Sequence, residues 1–503
     1  MIVIRVRNIH SFLVGNLEEK VHTYLRRECS YEVPDADLVR KAALRRQPTT
    51  REEYQERTRL ANWDGRKYLF TEKTHRFPTG LLPRMLRSLR ACSVDYEIVD
   101  QRVFLDQMHR NPLRAIEELR PYQREAVLTA VTSEMGTIRM PTGSGKTRVG
   151  CAIMSLLARP ALFLVTRKDL LYQAIGNFRD LLFYGESNVG QIGDGVFEPN
   201  LITVATVQSI CAGLGLKAEL DEEGSEKENV TGAAFHRETI EQVLKGAEVV
   251  IADEVQHVAA RTCQDVMEQC VNARYRYGLS ATDWRDDGAD LLIEAVCGPR
   301  IVNLSMTDMV ALGYLVPPRI KTYLMAEHPS GWAYQGPRNW HSVYRHFYVQ
   351  NTAFHCQIVD IVRRWLSANR SVLTLVVSIA HGKALERMFC EVGLPAVFLS
   401  GISSTERRAT VLASVRAGEL RNLIATSMAD EGLDLPALDA LVLAGGGKSS
   451  TRALQRIGRV LRPAPGKSDG LVAEFHCPDH EWLDNQFRKR LAIYKAEKAF
   501  ILE

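Results

Sequence analysis

The sequence predicts an α/β protein with two doubly wound parallel sheets in tandem, preceded by a small α+β domain. Three observations carry this. From about residue 112, short apolar runs alternate with amphipathic stretches; the same rhythm restarts after residue 350; the leading segment lacks it. A chain of 503 residues also exceeds what one hydrophobic core organises, which suggests about three domains.

Residues 1–111 form the leading domain, with 21 Lys and Arg against 15 Asp and Glu, although the whole chain carries a net charge of only +4. A basic domain on a nearly neutral body suits polyanion binding at one end. Within it, "NWDG" (62–65) reads as a tight turn between strands, because Asp-Gly favours a hairpin. Trp63 would offer a stacking surface beside Arg66 and Lys67, a mixture suited to phosphate contact plus base stacking. A buried Trp63 with surface arginines is the alternative.

Residues 112–310 form the first sheet domain, with strands at "PALFLVT" (160–166), "LITVAT" (201–206), "AEVVIADE" (247–254) and "YRYGLSAT" (275–282). The charged stretch 217–232 has no apolar face and reads as a surface loop. Residues 311–350, rich in Pro, Gly and aromatics, read as a linker or small insertion. Residues 351–503 form the second sheet domain, with strands at 372–378, 396–401, 422–427, 440–445 and 470–475.

The first residues are interrupted by Arg5 and Arg7 and show no cleavage site, and no apolar run approaches the ~20 residues of a membrane span. Ten cysteines include no CxxC pair and no zinc spacing. Reduced thiols in a cytoplasmic setting are expected.

The chemistry concentrates in "RMPTGSGKTRVG" (139–150). An apolar strand runs into a glycine-containing turn of Met140, Pro141, Thr142, Gly143, Ser144 and Gly145, and then Lys146 and Thr147 open a helix. Gly143 and Gly145 let backbone amides point at phosphate oxygens, and the helix N-terminus adds partial positive charge. Lys146 can reach the β and γ phosphates of ATP, and the Thr147 hydroxyl can ligate Mg²⁺. Met140 departs from the strict pattern only at the first position, which shapes the turn. Further on, "VVIADEVQH" ends a buried strand in two acids, placing Asp253 for the metal and Glu254 for activating water. In "ALQRIGRVLR" (453–462), Arg456, Arg459 and Arg462 recur every third residue along one helix face. They read either as an exposed basic helix or as arginines supplied to a γ-phosphate.

On these residues the chain resembles the superfamily-two helicases and translocases, with motifs in order from about residue 119 to 465. "LRPYQREAV" (119–127) resembles the adenine-reading motif, with Arg120 and Gln123 as base contacts, and "DEVQ" (253–256) brings in Gln256. "GLSATDWRDDG" (278–288) resembles the coupling motif, Ser280, Ala281 and Thr282. "LIATSMADEGLDLPALDALVLAG" (423–445) would supply Gly432 and Asp434 to the nucleotide, and "QRIGRVLR" (455–462) would supply Gln455 with Arg459 and Arg462 as fingers. The resemblance implies two tandem RecA-like domains that close on ATP and move along a polynucleotide. Its backbone contacts would be Arg167, Thr206 and Gln208 in the first, with Ser378, His381 and Thr426 in the second. Such contacts go mainly to phosphates, so base sequence should matter little.

The tract at 60–90 resembles the phage UvsW-like recombination helicases and, more distantly, the XPB group. That implies action on branched DNA: fork regression, Holliday-junction migration and R-loop unwinding, with an RNA–DNA hybrid as a further partner. An XPB-like or restriction-associated duplex translocase is the alternative. A clamp without catalysis is disfavoured by the presence of every residue that phosphate chemistry requires.

Overall fold

The computed structural model describes residues 1–33, 36–45, 50–102, 118–181, 189–216, 232–255, 260–281, 290–329, 339–426, 438–446, 454, 456–458, 460–464 and 466–503. Contacts divide the chain into one unit of residues 1–140 and 145–303 and another of residues 141–144 and 304–503.

The first unit contains an eight-stranded sheet among the described residues. Its order is Val196–Glu198, Val189–Gly193, Ile202–Thr206, Ala161–Val165, Val249–Ala252, Tyr275–Ser280, Met135–Arg139 and Arg300–Asn303. Every pairing is parallel except the hairpin between the first two strands. Strands 161–165, 202–206 and 249–252 are buried at every residue, as a parallel sheet covered on both faces requires. The helix Lys146–Leu157 lies close on this sheet: a Cβ at Gly150 would come within 2.9 Å of both Leu279 and Phe163.

The N-terminal domain belongs to this same unit. Its sheet runs Arg76–Pro78, His10–Val14, Ile2–Val6, Tyr96–Asp100, with only the last pairing parallel. Ile2, Ile4, Val6, Leu13 and Phe77 pack on Leu25, Met85 and Leu89 from the helices Glu19–Glu28 and Leu82–Ala91. This core does not stop at the domain edge, since Ala295 of the helix Asp290–Cys297 completes it. Arg84 donates to both carboxylate oxygens of Glu294, at 3.2 and 2.6 Å, and Asn8 donates to the Val271 carbonyl at 3.1 Å.

The expected Asn-Trp-Asp-Gly hairpin is not one. The turn links the helix Arg51–Ala61 to the strand Arg66–Tyr68, whose antiparallel partner is the distant Ser30–Glu32. The arginine-rich run before the turn is helical because Thr50 and Glu53 form a reciprocal capping box.

The second unit holds a wholly parallel sheet ordered Val397–Leu399, Asn422–Thr426, Val372–Val376, Ala440–Leu443, Gly470–His476, Pro318–Leu324, Ile501–Leu502. Pro318–Leu324 lies inside the expected linker 311–350, yet it pairs along seven residues with Gly470–His476. Proline is tolerated there because it opens the strand. Trp340–Tyr344 and Arg345–Val349, from the same stretch, form a helix that widens into a π turn. Its aromatic side chains enter the core of the second unit. The expected charged loop, 217–232, lies outside the described residues except for Gly232.

Candidate nucleotide site and motor surfaces

Strand Met135–Arg139 ends at the loop, and the helix Lys146–Leu157 begins right after it. Met140 is buried, and its N–H donates to the Ser280 carbonyl at 3.0 Å, tying the loop's first residue to the end of a neighbouring strand. The Ser144 hydroxyl closes the turn by donating to the Pro141 carbonyl at 2.7 Å. Gly143 and Gly145 take φ of +86° and +81°, a region in which a side chain is strained.

Gln123 braces this loop. It is buried, and its Oε1 accepts the Arg120 N–H at 3.0 Å. A Cβ on Gly145 would lie 2.5 Å from Gln123 Nε2. The amide expected to read adenine therefore also packs on the phosphate loop. Gly145→Ala combines this collision with a left-handed backbone that costs about 1–2 kcal/mol for an L side chain. Titration with a fluorescent ATP analogue should show affinity reduced at least about tenfold. Wild-type affinity would remove Gln123 as the brace.

The two acids follow strand Val249–Ala252. Thr147 Oγ1 donates to Asp253 Oδ2 at 2.9 Å, and Lys146 Nζ stands 3.6 Å from Glu254 Oε1. Asp253 Oδ1 accepts the Glu254 N–H at 2.9 Å. Burial, then the neighbouring Glu254 charge, pushes the Asp253 carboxyl up to about 6, while Lys146 and Thr147 pull it down. A buried carboxylate beside a hydroxyl is an oxygen donor set that fits a divalent cation. Glu254 itself sits at φ +47°, a conformation that glutamate adopts at a cost. Nothing in the sequence signals that strain. Ser280 and Ala281 are buried at the end of strand Tyr275–Ser280, while Gln256 and Thr282 lie outside the described residues.

The expected polynucleotide contacts fare unevenly. In the first unit Arg167 is buried, and Gln208 Nε2 donates to the Thr166 carbonyl at 2.6 Å. Thr206 is wholly buried, its hydroxyl capping the helix Val207–Leu214 by accepting the Ser209 N–H at 3.3 Å. Arg167 and Thr206 are thus withdrawn from solvent, while Gln208 is half-buried. Arg66 is likewise committed, donating to Ser30 Oγ, the Ser30 carbonyl and Glu32 Oε1, at 2.9, 3.2 and 2.7 Å. Trp63 is half-buried and donates its ring N–H to the Arg66 carbonyl at 2.6 Å. Lys67 alone of this trio is exposed.

In the second unit Ser378 caps the helix Ile379–Glu391 by accepting the His381 N–H at 3.2 Å. His381 is corrected from a surface contact to a buried one: it is wholly inaccessible, and burial holds its pKa well below the usual imidazole value. A neutral, enclosed ring cannot meet a phosphate. The Val377 N–H donates to the Tyr344 oxygen at 3.0 Å, and the same hydroxyl shares a hydrogen bond with His381 Nδ1 at 2.7 Å. Tyr344 thus pins the end of strand Val372–Val376, a role that the aromatic run "NWHSVYRHFYV" (339–349) could have flagged. Thr426 is buried at its strand's end. Arg462 is half-buried in the unit that also takes in residues 141–144 of the loop. Gly432, Asp434, Gln455 and Arg459 lie outside the described residues.

Two known families match the chain. Residues 116–284 match the family described as the res subunit of type III restriction enzymes, and residues 357–464 match the helicase conserved C-terminal domain. With the motifs in order, these two matches support a superfamily-two helicase. Among the chain's relatives is putative helicase 22 of a Sulfolobus islandicus filamentous virus, 30% identical over 52% of this chain and 48% of its own length. Another is the DNA 3'-5' translocase XPB2 of Sulfurisphaera tokodaii, 25% identical over 75% of this chain and 86% of its own. The chain spans about half the length of the first curated relatives, at 48% and 54%. The solved structure of T4 UvsW aligns with 100% of this chain and 99% of its own, at 15% identity and a TM-score of 0.45.

Proposed function

We propose that this chain is an ATP-dependent DNA helicase or translocase that remodels branched DNA in the cytoplasm, by fork regression, Holliday-junction migration or R-loop unwinding. The observation that carries the reading is the joining of Lys146, Thr147, Asp253 and Glu254 within contact distance in a helicase chain. Lys146 would hold the β and γ phosphates of ATP, Glu254 would orient water, and Arg459 and Arg462 would meet the developing charge. Thr147 and Asp253 would hold Mg²⁺, which would supply positive charge against that of the phosphates. The branched-DNA part is supported by the basic N-terminal domain, docked on the first sheet domain through Arg84, Glu294 and Ala295.

The second reading, a duplex translocase, is favoured by the XPB2 relative's printed name. ATP turnover separates the two. A junction remodeller should hydrolyse ATP several-fold faster on forked or four-way DNA than on linear duplex of equal length. Equal rates would leave the duplex translocase, and a preference for RNA duplexes would remove both readings.

A further inference from the structure

Strand Ile2–Val6 turns Ile2, Ile4 and Val6 into the N-terminal core and leaves Val3 and Arg5 on the opposite face. Strand pairing aligns Arg5 with Phe12 and Phe12 with Arg76, so the three form one row across three strands. Val3 aligns with Val14, and Val99 flanks Arg5 on the other side. Arg7 closes the patch, its guanidinium 5.3 Å from the centre of the Phe12 ring. Arg5, Arg7 and Arg76 are exposed, Phe12 is half-buried, and none of the three arginines forms an ion pair among the described residues. Glu97, opposite Val3, is the acid that the pairing places on this face.

We propose that this sheet face is a platform for single-stranded DNA, with Phe12 stacking a base and Arg5, Arg7 and Arg76 holding phosphates. The inference rests on the proposed DNA function and moves the N-terminal contact away from Trp63 and Arg66, whose polar groups are already engaged. Charge selects a polyanion, because three cations outnumber two acids: Glu97 on the face, and Glu268, which pairs with His10 beside the row and feels the Arg76 charge. The ring selects a single strand, since in a duplex both faces of every base are already stacked. Stacking on one ring tolerates any base, which matches a motor indifferent to sequence. The platform's core is completed by Ala295 of the first sheet domain, so the strand would be held at a fixed place on that unit.

The test uses the full chain, a fluorescein-labelled oligothymidylate and a blunt linear duplex of equal length, read by anisotropy. Phe12→Leu should weaken oligothymidylate binding about tenfold. Arg5→Gln with Arg76→Gln should flatten the slope of log affinity against log salt by about 1.4, because each phosphate contact to a single strand contributes about 0.7. Duplex-stimulated ATP hydrolysis should be unchanged in both. The arginine pair lies at exposed positions, so it reports even if Phe12→Leu perturbs packing. Should the wild type bind the oligonucleotide while both variants match it in affinity and slope, the platform is overturned and the motor function stands. Should the wild type neither bind DNA nor hydrolyse ATP, the functional reading falls and takes the platform with it.

Discussion

Lys146→Ala is expected to reduce DNA-stimulated ATP hydrolysis by at least about 10²–10³-fold, the loss that accompanies removal of one preorganised group facing developing charge. Lys146 is buried at the start of its helix, where the side chain cannot be replaced by a lysine from the surface. Its amine stands 3.6 Å from Glu254, and its charge helps hold down the Asp253 carboxyl. Alanine therefore removes the phosphate clamp and also leaves two neighbouring acids without their cation. Single-turnover hydrolysis with radiolabelled ATP measures the chemical step directly. Retained hydrolysis above about a tenth of wild type would place the chemistry elsewhere.

The second large effect is structural. Gly80→Ala should break the seat of the N-terminal domain, because the new Cβ would lie 2.2 Å from the Glu294 carbonyl oxygen and 2.4 Å from that of Ala295. Backbone atoms cannot swing aside as a flexible side chain would, so the helix Asp290–Cys297 and the segment at Gly80 must separate. Overpacking of this kind costs about 1–3 kcal/mol. The bond from Arg84 to Glu294 at 2.6 Å then stretches or is lost. Thermal unfolding should fall by several degrees, about 2–4 °C for each kcal/mol in a domain of this size. Limited proteolysis should release the N-terminal domain sooner than in wild type. An unchanged melting curve and digestion pattern would show that the seat tolerates a methyl group.

Much of the architecture was legible because parallel strands buried on both faces must be continuously apolar, and runs such as "ALFLV" and "LIAT" admit few other readings. The phosphate loop was legible for a related reason: glycines at positive φ, a lysine and a hydroxyl at one helix start have little purpose otherwise. Pro318–Leu324 escaped because its opening prolines and alternating burial resemble a connector, and its pairing partner lies far along the chain. Burial was the other blind spot. The motif resemblance implies polynucleotide contacts at Thr206 and His381, but whether a side chain faces solvent depends on what packs over it. Tyr344 covers His381 from a segment that looked like linker. The docking of the N-terminal domain was equally hidden, since Arg84 and Glu294 are 210 residues apart.

Glu254 is held in a left-handed backbone conformation at the end of a buried strand, which glycine would occupy freely. Heat resistance and turnover are therefore set against each other at a single peptide unit. A lineage selected only for thermal endurance would drift toward glycine there and become a sturdier protein that no longer burns fuel.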